Sequence, residues 1–388
     1  MKKKLYIKRT VAVLSLALAV LLVLGISQEY LLARLDNDQI RIEGFYQEEP
    51  NSLDVCFIGS SECYTGFSAV QAYKETGITS YPFCTESNPI AMAKYELKEI
   101  LRTQNPQLII IEINGALYNQ KTDIIDLARI HKAIDSVPLN DNKIEAVQTV
   151  IPEDNRAEFY LPFIKYHGAW DDYKKHMKWA KSKLDMQLRG YSLLKGASFK
   201  ATSSIKGAKK DKIIDPAKLQ KDDKTLELNE KAEYYLRDLL QYCKDENLDN
   251  IVFARLPHIV DKRQYDRFRR TNRAGEIIEE YGFDFINLEK NQIELNLDKD
   301  KDFYNSDHLN IYGQEKLTRY ICDIIQNDYG VKPRTLTESQ KANWDDCAEF
   351  YDKYLEYSHY ETDKNSDKKV CENADVIEQI SNFTTDKN

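Results

Sequence analysis

The strongest constraint on this chain is a set of four short apolar runs, at residues 55–58, 108–113, 251–256 and 283–286. The first, bounded by Asp54 and Gly59, reads as a buried strand and 108–113 as a second such run; 251–256 and 283–286, Phe-Asp-Phe-Ile, read as two further strands. Helical spacing lies between them. Residues 91–103 place Ala93, Leu97, Ile100 and Leu101 on one side, and Ala232, Tyr235, Leu236, Leu239, Leu240 and Cys243 repeat the pattern. Residues 273–280 are a third candidate; 313–327, with Leu317, Tyr320, Ile321, Ile324 and Ile325 on one side, are a fourth. Strands that alternate with helices form a parallel sheet covered on both faces, so the expected fold class is α/β.

A length of 388 residues fits one domain with appendages. With 42% hydrophobic residues, 25 Tyr and 14 Phe, the chain can fill a sizeable core. Its net charge of -8 and the lack of any nucleic-acid motif argue against nucleic acid as a partner. Residues 1–9 hold Lys2, Lys3, Lys4, Lys8 and Arg9, and the next 18 residues, from Thr10 to Ser27, carry no charge. That run can just span a bilayer, and the cations before it place the N-terminus in the cytoplasm and the remainder outside. A cleaved signal peptide is the alternative, but no A-x-A-like site follows the apolar run. The expected organisation is a basic cytoplasmic start (1–9), a signal anchor (10–27), a stalk or first helix lifting the domain off the membrane (28–51), a catalytic domain (52–335) and an acidic, partly disordered tail (336–388) that opens with a peripheral helix. The alternation lapses at 118–229, which reads as a mostly helical insertion. Within it, residues 174–212 carry twelve Lys or Arg against two Asp, a solvated face or a surface for an anionic polymer or lipid headgroups. Seven cysteines form no CxxC pair, so metal and redox roles are not expected; one disulfide among Cys63, Cys84, Cys347 and Cys371 stays open.

Two segments carry chemistry. Gly59-Ser60-Ser61-Glu62 follows the first strand directly, and the carboxyl ends of parallel strands form the binding edge of such a sheet. A Ser there is exposed on a rigid support, with backbone N–H groups of a following helix available to an oxyanion. Asn305-Ser306-Asp307-His308-Leu309-Asn310 precedes the last helix, where His308 can serve as the base that a serine nucleophile needs. Each segment alone could be an ordinary turn or helix cap.

Taken together, a Ser after the first strand and a His before the last helix resemble the SGNH, or GDSL-like, hydrolase superfamily. Gly59-Ser60-Ser61 looks like its Gly-Asp-Ser turn, and Gly-Ser-Ser-Glu with His-Leu-Asn-x-x-Gly resembles the membrane-anchored branch that includes the teichoic-acid D-alanylation protein D and relatives of alginate O-acetyltransferases. The resemblance spans roughly residues 52–329. It implies a three-layer αβα, flavodoxin-like sheet, with Ser61 as nucleophile and His308 as base. The family's Asp, three residues before the His, is Asn305 here. Asp307 is then the nearby carboxylate, with Asn305 as the alternative orienter of the imidazole. Of the family's three oxyanion donors, the Ser61 N–H and, by position, Asn114 at the end of the second apolar run are matched, although the usual Gly-x-Asn-Asp run is absent; the Gly after the second strand has no counterpart near Tyr81 to Asn88. Ser60, Glu62, Arg255, His258 and His167 are candidates for the pocket. The implied function is transfer of an acetyl or D-alanyl group to an envelope polysaccharide or teichoic acid, with a polytopic membrane acyltransferase as partner and no cofactor or metal. An esterase and a catalytically silent scaffold are the alternatives.

Overall fold

The computed structural model describes residues 2–27, 29–30, 36–119, 124–166, 173–203 and 212–383. Its strands are β1 (Val55–Gly59), β2 (Ser80–Cys84), β3 (Leu108–Glu112), β4 (Phe199–Ala201), β5 (Ile251–Arg255), β6 (Asp284–Asn287) and β7 (Lys368–Val370). Five of them form one sheet in the order β2-β1-β3-β5-β6, parallel throughout. The four apolar runs supply β1, β3, β5 and β6; every residue of β1, β3 and β5 is buried. Helices Ile90–Thr103, Asp141–Val150 and Glu230–Asp245 pack as one group, and Ala69–Thr76, Ile311–Asn327 and Glu338–Asp363 as another.

β2 contains Pro82 and is not a continuous aliphatic run. Its edge position explains the tolerance: proline cannot donate to a ladder and is confined to edges of sheets. The chain order reverses between β1 and β3, the point at which doubly wound sheets bind ligands outside their carboxyl ends. There Gly59 pairs with Cys84 and Ile58 with Ile111, so the segments after β1, β2 and β3 leave the sheet side by side.

Several expectations change. The segment after the anchor holds a first helix, Asn37–Phe45, but instead of standing off the domain it buries Ile40, Ile42 and Phe45 and packs against β2. The tail is ordered to residue 383, with 384–388 outside the described residues. Its long helix, Glu338–Asp363, starts with a capping box of Thr337 and Gln340. Trp344, Cys347, Tyr351 and Tyr354 recur at helical spacing and are all buried. A segment poor in aliphatics thus folds on an aromatic stripe, because rings bury as much apolar area as leucine or more. β7 pairs antiparallel with β4 of the insertion, joining tail to insertion. The helix expected at 273–280 begins earlier, as Tyr265–Glu280. All seven cysteines are buried free thiols. The N-terminal helix, Lys2–Ser27, is long and apolar enough over Lys3–Ser27 to cross a membrane, and its apolar run is not buried against the rest of the chain.

Candidate active site

The turn after β1 is built by close approach of β3. A Cβ on Gly59 would lie 2.6 Å from Glu112 Cβ, so only glycine fits without displacement. Glu112, the last residue of β3, accepts the Ser60 N–H at 2.9 Å on Oε2 and the Asn114 N–H at 2.6 Å on Oε1. One buried carboxylate therefore clamps the backbones of both neighbouring loops. Ser60 caps the helix Ser61–Gly66, its Oγ accepting the Glu62 N–H at 3.3 Å. Ser61 is the first helical residue, so its own N–H has no carbonyl partner within the helix.

His308 comes from a loop closed by pairing of Phe303 with Leu309 and by the Tyr304 N–H donating to the His308 carbonyl at 3.1 Å. Asn310 then caps Ile311–Asn327. Nε2 of His308 is 2.7 Å from Ser61 Oγ, and Nδ1 is 2.9 Å from Asn305 Oδ1. The tautomer follows from the surroundings. Asn305 Oδ1 also accepts the Asp307 backbone N–H at 2.9 Å, which only an oxygen can do. Facing that oxygen, Nδ1 must carry the hydrogen, and Nε2 is left as the acceptor for the Ser61 hydroxyl. Tyr304 stacks on the imidazole with centroids 5.1 Å apart. Burial lowers the His308 pKa and keeps the ring neutral, with the charges of Glu62 and Asp307 opposing and Arg267 reinforcing the shift.

Asp307, the first choice for orienter, does not face the imidazole. Its carboxylate takes bonds from Gln264 at 2.9 Å and Arg267 at 3.2 Å, because adjacent side chains on this turn diverge. Arg255 and His258 do not line a cleft either. Both are wholly buried in a charge cluster: Arg255 pairs with Glu62, with Glu112 at 3.3 Å and with Glu289 at 2.9 Å, and His258 Nδ1 is 2.6 Å from Glu289. Desolvation alone would make such charges costly, and their mutual pairing offsets it. Burial, with the Arg255 charge next, holds the His258 pKa well below its ordinary value. Glu112 is pushed up to about 7 by burial and by Glu62, with Arg255 opposing. Glu62 turns inward to Arg255 and to Arg267 at 2.7 Å. Asn114 Oδ1 accepts from Arg267 at 2.5 Å, and its Nδ2 lies 3.4 Å from Ser60 Oγ. His167 lies outside the described residues.

Ser61 and His308 open into a cleft of about 400 Å³. Tyr64, Tyr304, Asn305 and Glu86 line it with Phe199 and Lys200 of β4, Lys369 of β7 and the adjoining Asp367. The insertion and the tail together therefore build one wall. Arg41 holds that wall to the sheet domain: its guanidinium lies 3.5 Å over Tyr64 and bonds to the Gly196 carbonyl at 2.6 Å and Ser198 Oγ at 3.1 Å. Glu112, Arg267, Glu289, Tyr64, Lys200 and Lys369 were not legible as site residues. Only Glu112 left a trace, a lone carboxylate inside an otherwise aliphatic strand. Among the described residues no group of three or more His, Cys, Asp or Glu side chains could hold a metal ion. Comparison with family models, with curated proteins and with solved structures finds no match to this chain.

Proposed function

We propose that this chain is a membrane-anchored serine acyl-transfer enzyme of the SGNH, flavodoxin-like type, working on the extracytoplasmic side. One observation carries the reading: a serine at the carboxyl end of the first strand is 2.7 Å from an imidazole nitrogen, and the opposite ring nitrogen is held 2.9 Å from a side-chain oxygen. A serine hydroxyl becomes a nucleophile when a neutral, oriented base can take its proton. His308 Nε2 accepts the Ser61 proton as Oγ attacks the carbonyl carbon of an acyl donor. The Ser61 N–H receives the developing oxyanion, and Asn114 Nδ2, which gives one hydrogen to Ser60, has a second to offer. The protonated imidazole then returns its proton to the leaving oxygen, which departs as an alcohol. An acceptor hydroxyl reverses the sequence and regenerates Ser61. The acyl group is acetyl or D-alanyl by resemblance, the acceptor an envelope polysaccharide or teichoic acid, and the donor a polytopic membrane acyltransferase.

Asn305 gives weight to a second reading, a silent scaffold of an acyltransferase complex, because a carboxamide orients an imidazole without stabilising its charge. A fluorophosphonate probe separates the two. Label on Ser61 of the wild-type chain, lost in Ser61→Ala and His308→Ala, is the expected result; an unlabelled wild type sinks the enzyme reading. Transfer and hydrolysis are told apart by the product, since labelled acyl groups pass to polymer in the first and to free acid in the second.

A further inference from the structure

We infer that the insertion helix Tyr173–Arg189 lies on the surface of the bilayer that the N-terminal helix crosses, its outer stripe sunk among anionic lipids; this rests on the anchor reading above. Met177, Leu184 and Leu188 are 53%, 45% and 78% exposed. At 3.6 residues per turn, positions seven and eleven residues beyond Met177 fall within about 20° of it, so the three make one continuous stripe. Lys174 and Lys181 are exposed beside the stripe, and Asp185 lies at its margin. The opposite side is buried, through His176, Ala180, Lys183 and Met186. Apolar side chains lined up on water and bordered along one side by lysines are what an interfacial helix presents to a leaflet.

What places lipid rather than another protein against this stripe is its attachment to the end of the anchor. Tyr30 donates its hydroxyl to Gln187 at 2.7 Å, and Lys183, on the buried side, bonds the Glu29 carbonyl at 3.3 Å and pairs with the carboxylates of Glu29 and, at 2.9 Å, Glu43. The apolar helix ends at Ser27, and three further residues reach at most about 10 Å. The interfacial layer of a leaflet is roughly 5–7 Å thick, so Tyr30 and the helix it holds sit at headgroup level. The stripe can then enter the boundary layer while the lysines meet lipid phosphates. Lys200, in the cleft wall, stands only eleven residues beyond Arg189. Docking this helix therefore holds the Ser61 cleft near the membrane surface, where a membrane-borne acyl donor would emerge.

The native thiols are all buried, so an introduced Leu188→Cys can be labelled selectively with an environment-sensitive fluorophore. The full chain is reconstituted in vesicles of phosphatidylcholine and phosphatidylglycerol with brominated acyl chains. The expected result is a blue-shifted emission that the brominated lipid largely abolishes, as it also does for Leu184→Cys. The same fluorophore at Tyr234→Cys, 62% exposed on Glu230–Asp245, keeps its emission. Water-like, unquenched emission at 184 and 188, from chain that floats with the vesicles and resists carbonate extraction, overturns the docking and leaves the anchor standing. Chain that does not float overturns both. A fluorophore that becomes dry only in native membranes assigns the stripe to a protein partner and likewise overturns the lipid proposal.

Discussion

Replacing Asn305 by Asp tests the reasoning about the site most directly. Oδ1 of Asn305 already accepts from His308 Nδ1 at 2.9 Å and from the Asp307 N–H at 2.9 Å, so a carboxylate can occupy the place without new contacts. What changes is charge. In the proposed attack by Ser61 the imidazole becomes a cation, and a unit negative charge about 5 Å from its centre, at an effective dielectric of about 20, is worth about 3 kcal/mol. Repulsion from the nearby Asp307 and Glu62 carboxylates removes a part, and a net gain of about 1.5–2 kcal/mol corresponds to roughly 10- to 30-fold in rate. The assay is the second-order rate constant for fluorophosphonate labelling of Ser61, with Ser61→Ala as blank. The acid limb of the rate should also move upward, because the same charge favours the protonated ring. An unchanged or slower Asn305→Asp would refute the account of His308 as a base limited by a neutral orienter. Labelling that appears only in the variant would favour the scaffold.

Three further outcomes follow from particular contacts. In the wild type, burial depresses the His308 pKa, so the neutral base persists to lower pH; the acid limb of labelling should have its midpoint below the ordinary imidazole value of about 6.5, and a midpoint above it refutes the assignment. Gly59→Ala places a methyl against the Cβ of Glu112, whose carboxylate is fixed by two backbone N–H groups, and should cost about 1–3 kcal/mol in thermal unfolding and most of the Ser61 labelling. An undisturbed melt would show that the turn has room. Glu96, buried and bonded to Asn88 at 2.6 Å, has its pKa raised by burial to about 8. Its folded-state pKa lies above the unfolded value, so the neutral form's stability is full below pH of about 4.5 and is lost as pH rises toward about 8. Glu96→Gln should therefore gain on the wild type across that window, by up to about 1.4 kcal/mol per pH unit, and a melting difference that stays constant with pH would contradict it.

Much of this architecture is written in local pattern. Strands that are apolar along most of their length must be covered on both faces, so 55–58, 108–113 and 251–256, each with at most one charged residue near its carboxyl end, point to a parallel sheet, and a strand's carboxyl end places Ser61 on the binding edge whatever surrounds it. His308 was legible for the same reason, since its loop feeds the last helix of that sheet. The partner of each polar group was not legible, because partners are chosen by direction in space. Asp307 is nearer to His308 in sequence than Asn305 is, yet the turn points it to Arg267 and Gln264. Arg255 and His258 end a strand at the right edge, yet three glutamates from separate elements draw Arg255 inward. The tail was legible as a helix followed by disorder because its composition is acidic and poor in aliphatics; the helix is held by an aromatic stripe, and the order beyond it and the tail's contribution to the cleft depend on β7 pairing with β4 across more than 160 residues of chain. Periodicity determined the elements and the edge at which the candidate site lies; side-chain direction and long-range pairing, which have no local signature, decided which groups meet there.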